Sequence, residues 1–216
     1  MERSFFSRPM LLLLLGSMTL GASAQDYDDD DYGDDDIVGG AGNDDDDDGF
    51  DDDDDDDSNA TAFVARLTGL HEVPSISTAA QGSFRADVDE ASSMITYTLT
   101  YESLGAPVEQ AHIHVGQIHT NGGVSAFLCT NLENGPPDTQ PCPEGTAEIS
   151  GAIMAPHVVG PSDQGISEGE FEELLAAIRA KAAYANVHTT MFPAGEIRGQ
   201  IVPAGSRPPP GGRPRR

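Results

Sequence analysis

The sequence predicts an all-β fold, an antiparallel Greek-key sandwich or barrel with one short helix. Three observations lead to this prediction. Apolar and polar residues alternate with a period of two in several segments after residue 60, which is typical of half-buried antiparallel strands. Clusters of Gly, Pro, Asn and Ser separate these segments, as expected for turns. A single stretch has helical periodicity, so the sheet has to supply most of the core.

About eight strands are expected along the chain. The clearest alternation runs through Ile95, Tyr97, Leu99 and Tyr101, with threonines between them. Eight strands are enough for a closed barrel or a two-layered sandwich. The expected strands lie near residues 63–67, 84–88, 95–101, 108–115, 124–129, 146–154, 183–188 and 196–202.

One short helix is expected after residue 167. Ser167 and Glu170 have the spacing of a capping box. Apolar residues follow at helical spacing, and this stripe predicts a helix that packs on the sheet as a structural cover. The residues of the stripe are Phe171, Leu174, Leu175, Ile178 and Ala182.

The two ends of the chain differ from its middle in composition. The 216-residue chain has a net charge of −26, and residues 26–57 contain twenty Asp and no basic residue. Such a composition predicts that residues 25–60 form a disordered tract, either a solvated spacer or a weak calcium binder without an EF-hand loop. Residues 204–216 are expected to be a disordered Pro/Gly/Arg tail. The acidity disfavours nucleic acid and favours cations or basic partners.

The first 24 residues have the features of a secretory signal peptide. Basic residues precede an apolar run, and Ala-Ser-Ala at 22–24 forms a cleavage site. The run is too short for a membrane-spanning helix, so we expect an exported protein, periplasmic or secreted, without a transmembrane anchor. Export favours a disulfide between Cys129 and Cys142, since these are the two cysteines of the chain.

Histidines occupy alternating positions on two of the expected strands. Side chains two apart on a strand point to the same side, so His112 and His114 share one face. Asn186 and His188 repeat this arrangement about seventy residues later. Three imidazoles from two strands are typical of a copper or zinc site with an open position. The alternative is a buried polar network in which the histidines and nearby charged groups satisfy one another.

Other polar residues are candidates for supporting roles around such a site. Glu72, Asn186 and Glu196 are the best candidates to hydrogen-bond the ligands from outside. His71 is a candidate fourth ligand if its strand lies next to the others. No nucleophile elbow, phosphate-binding loop or dinucleotide-binding motif is present in the sequence.

Four separated motifs resemble the CHRD domain, which is named after chordin and occurs in many exported bacterial proteins. They read LTGLHEVP at 67–74, AHIH at 111–114, NVHT at 186–189 and PAGEIRGQI at 193–201. The resemblance places a CHRD domain at about residues 61–203. It implies an all-β, immunoglobulin-like module without an assigned activity.

The order of the histidines also resembles copper–zinc superoxide dismutases. Those enzymes hold copper with a His-x-His pair and a later His, and an Arg after the later His guides the anionic substrate. The resemblance implies that His112, His114 and His188 are copper ligands and that Arg198 is the guiding, catalytic residue. It also implies a superoxide-dismutase-like fold and a small anionic substrate. No bridging histidine or zinc loop is apparent, so the comparison supports a copper-only site.

Two functions follow from these features. The first is an exported CHRD-domain protein that binds copper and has superoxide dismutase activity. The second is a non-catalytic extracellular binding or matrix module, with the Asp tract as a cation-binding spacer. The sequence identifies no protein partner for either function.

Overall fold

Nine strands form one continuous antiparallel sheet, so the all-β prediction is confirmed. The computed structural model describes residues 59–206. The signal peptide, nearly all of the Asp tract and the end of the tail lie outside the described residues, and their predictions stay predictions. The strands are β1 (Ala62–Thr68), β2 (Gln81–Asp89), β3 (Met94–Glu102), β4 (Val108–Val115), β5 (Gly123–Thr130), β6 (Ala147–Ile153), β7 (Ala183–Thr189), β8 (Ile197–Gln200) and β9 (Val202–Pro203).

The last predicted strand, 196–202, is divided into β8 and β9. The backbone N–H of Ile201 donates to the Ala183 carbonyl on β7, whereas Val202 pairs with Val64 on β1. Arg198 of β8 already pairs with Thr68 of β1 in the same register, so the pairing with β1 continues through the break and only the pairing with β7 ends at Ile201. Sequence alternation alone does not show such a change, because the residue pattern continues through it.

The sheet is nearly closed into a barrel. Its strand order is β5-β4-β7-β8-β1-β2-β3-β6, with β9 beside β1. Side chains connect the two ends of this order: the Tyr97 hydroxyl on β3, the strand next to β6, donates to the Leu128 carbonyl on β5 at 2.8 Å. The Gln140 amide donates to the same carbonyl and to that of Ser150 on β6. This arrangement belongs to the predicted class of antiparallel sandwiches and barrels.

The helix and the disulfide are present. Helix α1 spans Phe171–Arg179, and its N-cap is Glu170. Glu170 accepts the Ser167 backbone N–H, but Ser167 is not the N-cap, so the predicted capping box is wrong. The apolar side of α1 joins the core, but Ala182 lies beyond its end, contrary to the predicted stripe. Cys129 and Cys142 form the predicted disulfide.

The strands β4 and β7 are buried on both of their faces. Their inward residues, such as Ile113 and Val187, belong to the apolar core. Their outward residues are polar or aromatic, and three segments flank them: 69–80, which begins with a 3-10 turn (Gly69–His71), 116–122 and 190–196. Two further 3-10 turns are Ala155–His157 and Ser162–Gln164. The candidate site lies on this buried outer face.

Candidate metal centre

Three histidines meet on the outer face of β4 and β7. His112 lies opposite Asn186 in the register, and Gln110 lies opposite His188, so His188 is the diagonal neighbour of His112. One ring nitrogen from each of His112, His114 and His188 lies within 4.8 Å of the others. His112 Nδ1 and His188 Nε2 are 3.1 Å apart. The alternating sequence pattern thus produces the predicted group of three imidazoles.

Backbone carbonyls fix the protonation of two of these rings. His114 Nδ1 lies 2.9 Å from the Gly122 carbonyl, and His188 Nδ1 lies 2.9 Å from the Pro193 carbonyl. A carbonyl oxygen only accepts hydrogen bonds, so each Nδ1 must carry the proton and donate. In a neutral ring the Nε2 atom then has a free lone pair. Both histidines therefore present Nε2 as a potential metal ligand.

Burial keeps the three rings neutral. The exposed fractions of His112, His114 and His188 are 2%, 8% and 5%. Burial is the main cause that lowers the pKa of His112 to about 2 and that of His188 to about 4, and neighbouring histidines contribute in the same direction. Burial also lowers the pKa of His114. Neutral imidazole is the form that binds a metal ion, so the protein needs no proton release to prepare these ligands.

Two ring nitrogens in the cluster have no partner. Nε2 of His112 and Nε2 of His114 are buried and make no hydrogen bond within residues 59–206. A buried polar atom without a partner is costly, and native proteins contain few of them. Two nitrogens bound to one ion at about 2.0–2.1 Å lie about 3 Å apart, which matches the spacing of His112 and His188. The residues therefore fit a metal ion.

Aromatic side chains surround the histidines. His112 and Phe127 make an edge-to-face contact, and their ring centroids are 4.4 Å apart. Tyr184 stacks almost parallel on His114, with centroids 4.9 Å apart. The guanidinium carbon of Arg198 lies 4.6 Å from the centre of the Tyr184 ring. Because β7 lies between β4 and β8, Tyr184 separates Arg198 from His114.

Arg198 connects two of the segments that flank the site. Its Nε donates to the His71 carbonyl at 2.8 Å, and its Nη1 donates to the Thr120 carbonyl at 2.9 Å. Its Nε also lies 3.5 Å from Glu72 Oε2, and both side chains are buried. Arg198 is thus engaged in holding the fold at this point. Its role in guiding a substrate stays a prediction.

The side chains of Glu72 and Asn186 both approach the backbone at Gly195. Burial raises the pKa of Glu72 to about 7, and the positive charge of Arg198 opposes this rise. A Cβ atom added at Gly195 would lie 2.6 Å from both Glu72 Oε1 and Asn186 Nδ2, and Gly195 has a φ of +124°. Only glycine allows the backbone to pass this close. The motif around Gly195 therefore serves to close the site.

A family model of the CHRD domain matches residues 63–201, which is more than half of the chain. The chain belongs to the CHRD family. A search of curated proteins gave no significant match, and neither did a search of solved structures. The match covers the three histidines, Glu72, Asn186 and Arg198. It says nothing about their chemistry, which rests on the geometry described above.

Two predicted site residues of the CHRD domain lie elsewhere. The carboxylate of Glu196 accepts hydrogen bonds from the Thr78 and Thr189 hydroxyls and from the Gly105 backbone N–H. Glu196 therefore connects two loops to β7. Within the described residues it makes no hydrogen bond to the three histidines. His71 has an exposed side chain and is not part of the histidine group.

The sequence analysis did not predict several residues that contact the histidines of this CHRD domain. Tyr184 lies two residues before Asn186 on the same face of β7, and the alternation that identified Asn186 could have identified it as well. Phe127 comes next to His112 through the pairing of β4 and β5, in a region where the register shifts. The carbonyls of Gly122 and Pro193 have no signal in the residue types, because every residue has a carbonyl.

Location is defined only coarsely by these findings. CHRD domains are extracellular, and the disulfide fits an oxidising compartment. Among residues 59–206 no helix has the length and hydrophobicity needed to cross a membrane.

Proposed function

We propose that this CHRD domain binds one copper ion through His112, His114 and His188. The observation that supports this most directly is the convergence of three ligand nitrogens: His112 Nδ1 lies 3.1 Å from His188 Nε2, and Nε2 of His114 is buried without a partner within residues 59–206. A network that existed for stability would pair Nε2 of His114 with a donor. Copper is the preferred ion because nitrogen ligands bind Cu(II) more tightly than the other common divalent metals.

Each ring has a defined part in the proposed site. His114 and His188 bind through Nε2, because carbonyls hold the protons on their Nδ1 atoms. In the metal-free protein His112 Nδ1 donates its proton to His188 Nε2. As a ligand, His112 would present Nδ1 and carry its proton on Nε2. Phe127 and Tyr184 exclude water from two sides. Bound copper supplies one-electron redox chemistry.

The finer part of the proposal is superoxide dismutase activity. Dismutation requires that a small anion reach the ion, and a positive charge near the ion would increase its rate of arrival. Arg198 is the candidate for this charge, although it is 4% exposed and bonded to two carbonyls. Copper binding in a closed site without dismutase activity would leave the proposed site intact. It would remove only the catalytic role of Arg198.

The decisive experiment is copper binding by the mature chain and by His112→Ala/His114→Ala. The matched control is His71→Ala/His119→Ala, which removes two exposed histidines outside the cluster. We expect one tightly bound copper per wild-type and control chain, with nitrogen ligands in the electron paramagnetic resonance spectrum. The cluster variant should lose this ion while its circular dichroism spectrum stays unchanged. Equal copper in all three proteins would contradict the proposal.

The same three proteins also test zinc binding and superoxide dismutase activity. Residues 25–60 are the same in all three proteins, so any ion they hold, including the weakly bound calcium predicted there, should contribute equally. Such an ion should have oxygen ligands, which the electron paramagnetic resonance spectrum distinguishes from nitrogen ligands when the ion is copper. Competition with zinc reports the identity of the preferred metal. Superoxide dismutation by the copper-loaded wild type, strongly reduced in Arg198→Gln, which lacks the positive charge, would support the catalytic part.

A second candidate function is a non-catalytic extracellular binding module. The observation that favours it is a set of large exposed apolar side chains, one from each segment that flanks the histidines. Leu70, Ile118 and Met191 are 71%, 62% and 60% exposed. Exposed apolar groups on neighbouring loops are typical of a protein-binding surface. If the wild type binds no copper, this function is the one that remains.

A further inference from the structure

A cavity of about 400 Å³ lies beside Arg198 and has a different character from the histidine cluster. None of the three clustered histidines lines it. The polar and basic side chains that line it include Arg66, His71, His119, Lys181, Arg198 and Gln200. Ile118 and Val202 add apolar surface to its wall.

The charge of this cavity is opposite to that of the rest of the domain. Residues 59–206 contain five Lys and Arg residues and sixteen Asp and Glu residues. Three of the five basic residues line the cavity, and none of the sixteen acidic residues does. Like charges that share a concave surface repel one another, and an anion relieves this repulsion. The distribution therefore favours a negatively charged ligand.

Unpartnered donors accompany this charge. Nη2 of Arg198 is buried and has no hydrogen bond partner within the described residues, although Nε and Nη1 of the same side chain are bonded. The hydroxyl of Ser206, which also lines the cavity, is buried and has no partner among residues 59–206. An arginine that lacks one acceptor is suited to bind a carboxylate or another oxyanion.

We propose that this cavity binds a small organic anion through a carboxylate or similar oxyanion group. The anion pairs with Arg66 and Lys181 at the cavity wall and with Arg198 at its base, and its apolar part contacts Ile118 and Val202. This proposal does not rest on copper binding, since no copper ligand lines the cavity. Two sources supply the required chemistry: a free small anion, or an aspartate of the chain's own Asp tract.

The Asp tract is a reasonable second source because of its place in the chain. Residues 26–57 end shortly before β1, and β1 carries Arg66. A ligand on the same chain has an effective concentration in the millimolar range. The experiment therefore has to separate a free anion from the tract.

The first measurement is binding of succinate to the metal-free mature chain, followed by nuclear magnetic resonance of the backbone amides. Succinamide, which has the same shape without charge, is the ligand control. We expect saturable shifts at Gln117, Ile118 and Gln200 with succinate and none with succinamide. Arg66→Gln/Lys181→Asn should weaken binding at least tenfold; asparagine is chosen because Lys181 has a φ of +57°.

The matched control variant is Arg85→Gln. Arg85 lies on β2 opposite Val64 and is exposed, but it does not line the cavity. We expect it to bind succinate within twofold of the wild type. Equal weakening by Arg85→Gln, or equal binding of succinamide, would overturn the proposal, because either result indicates general charge attraction or apolar contact alone.

Deletion of residues 26–57 identifies the source of the oxyanion. If the tract fills the cavity, the deletion should shift the Gln117 and Gln200 amides and tighten succinate binding at least threefold. If the ligand is a free anion, these amides and the affinity should stay unchanged. Absence of succinate binding in both chains would overturn the proposal.

Discussion

The two faces of β4 and β7 are equally buried but differ in what burial achieves. On the inner face Ala111, Ile113 and Val187 are fully enclosed by the apolar core. On the outer face His112 and His188 are nearly as enclosed, yet they are polar. Burial of apolar surface stabilises the fold by about 25 cal/mol per Å². Burial of a polar atom costs free energy unless a partner compensates for it.

The outer face compensates only part of this cost. His114 and His188 have carbonyl partners, and Arg198 has two. Buried atoms of Glu72, His112, His114, Asn186 and Arg198 nevertheless lack partners. The inner face is thus explained by stability, whereas the outer face is arranged for something that the described residues do not include. Each prediction below tests this difference.

The largest expected effect is on the inner face. Ile113→Ala removes a fully buried side chain between the two clustered histidines of β4. We expect the free energy of unfolding to fall by about 2–5 kcal/mol, because the apolar contacts are lost and a cavity remains. Urea unfolding of the metal-free protein measures this. The folded variant should still bind one copper, and loss of copper with a native spectrum would contradict the separation of the faces.

The second effect is a loss of stability in acid that arises on the outer face. An unfolded histidine titrates near pH 6.5, whereas burial lowers the pKa of His188 to about 4. Below pH 6.5 the unfolded chain therefore binds more protons than the folded one. The stability that His188 contributes is complete above pH 6.5 and is lost as the pH falls towards 4, by up to about 3 kcal/mol.

The measurement compares the metal-free wild type with His188→Gln in urea at pH 7.5, 6, 5 and 4. Glutamine does not titrate, so the stability difference between the proteins should change across this range. The comparison cancels the contribution of Glu72, whose raised pKa acts in the opposite direction between pH 4.5 and 7. Parallel curves would show that the folded protein does not hold His188 neutral.

The sequence predicted the parts of this molecule that depend on side-chain alternation. The period of two placed His112 and His114 on one face and Ile113 on the other, and it located all the main strands. It could not place His71 or Glu196, because their positions depend on how loops fold over the sheet. His71 lies in a 3-10 turn whose carbonyl, not its ring, contacts Arg198.

Other features depend on the backbone and not on residue type. The carbonyls of Gly122 and Pro193 that orient two rings are invisible in the sequence, and so is the end of the pairing with β7 at Ile201. The cavity beside Arg198 combines residues of β1, β8 and β9 with residues of four segments between or after the strands, those that contain His71, Ile118, Lys181 and Ser206. Such a combination requires the strand order, which the alternation of residues does not define.

The smallest expected change in stability is also the sharpest test of the comparison. His112→Leu replaces a ring whose Nε2 has no partner by an apolar group of similar size beside Phe127. It removes the unpartnered Nε2 of His112 but leaves Nε2 of His188 without its donor, so the number of unpartnered buried nitrogens stays the same, and the leucine adds apolar burial. The metal-free free energy of unfolding should therefore change by less than about 1 kcal/mol. Copper affinity should nevertheless fall by at least a hundredfold, because one of three ligands is gone.

Urea unfolding and copper competition measure the two quantities on the same sample. A loss of stability as large as that of Ile113→Ala, with copper binding unchanged, would mean that the outer face is a structural network and that its buried nitrogens serve the fold.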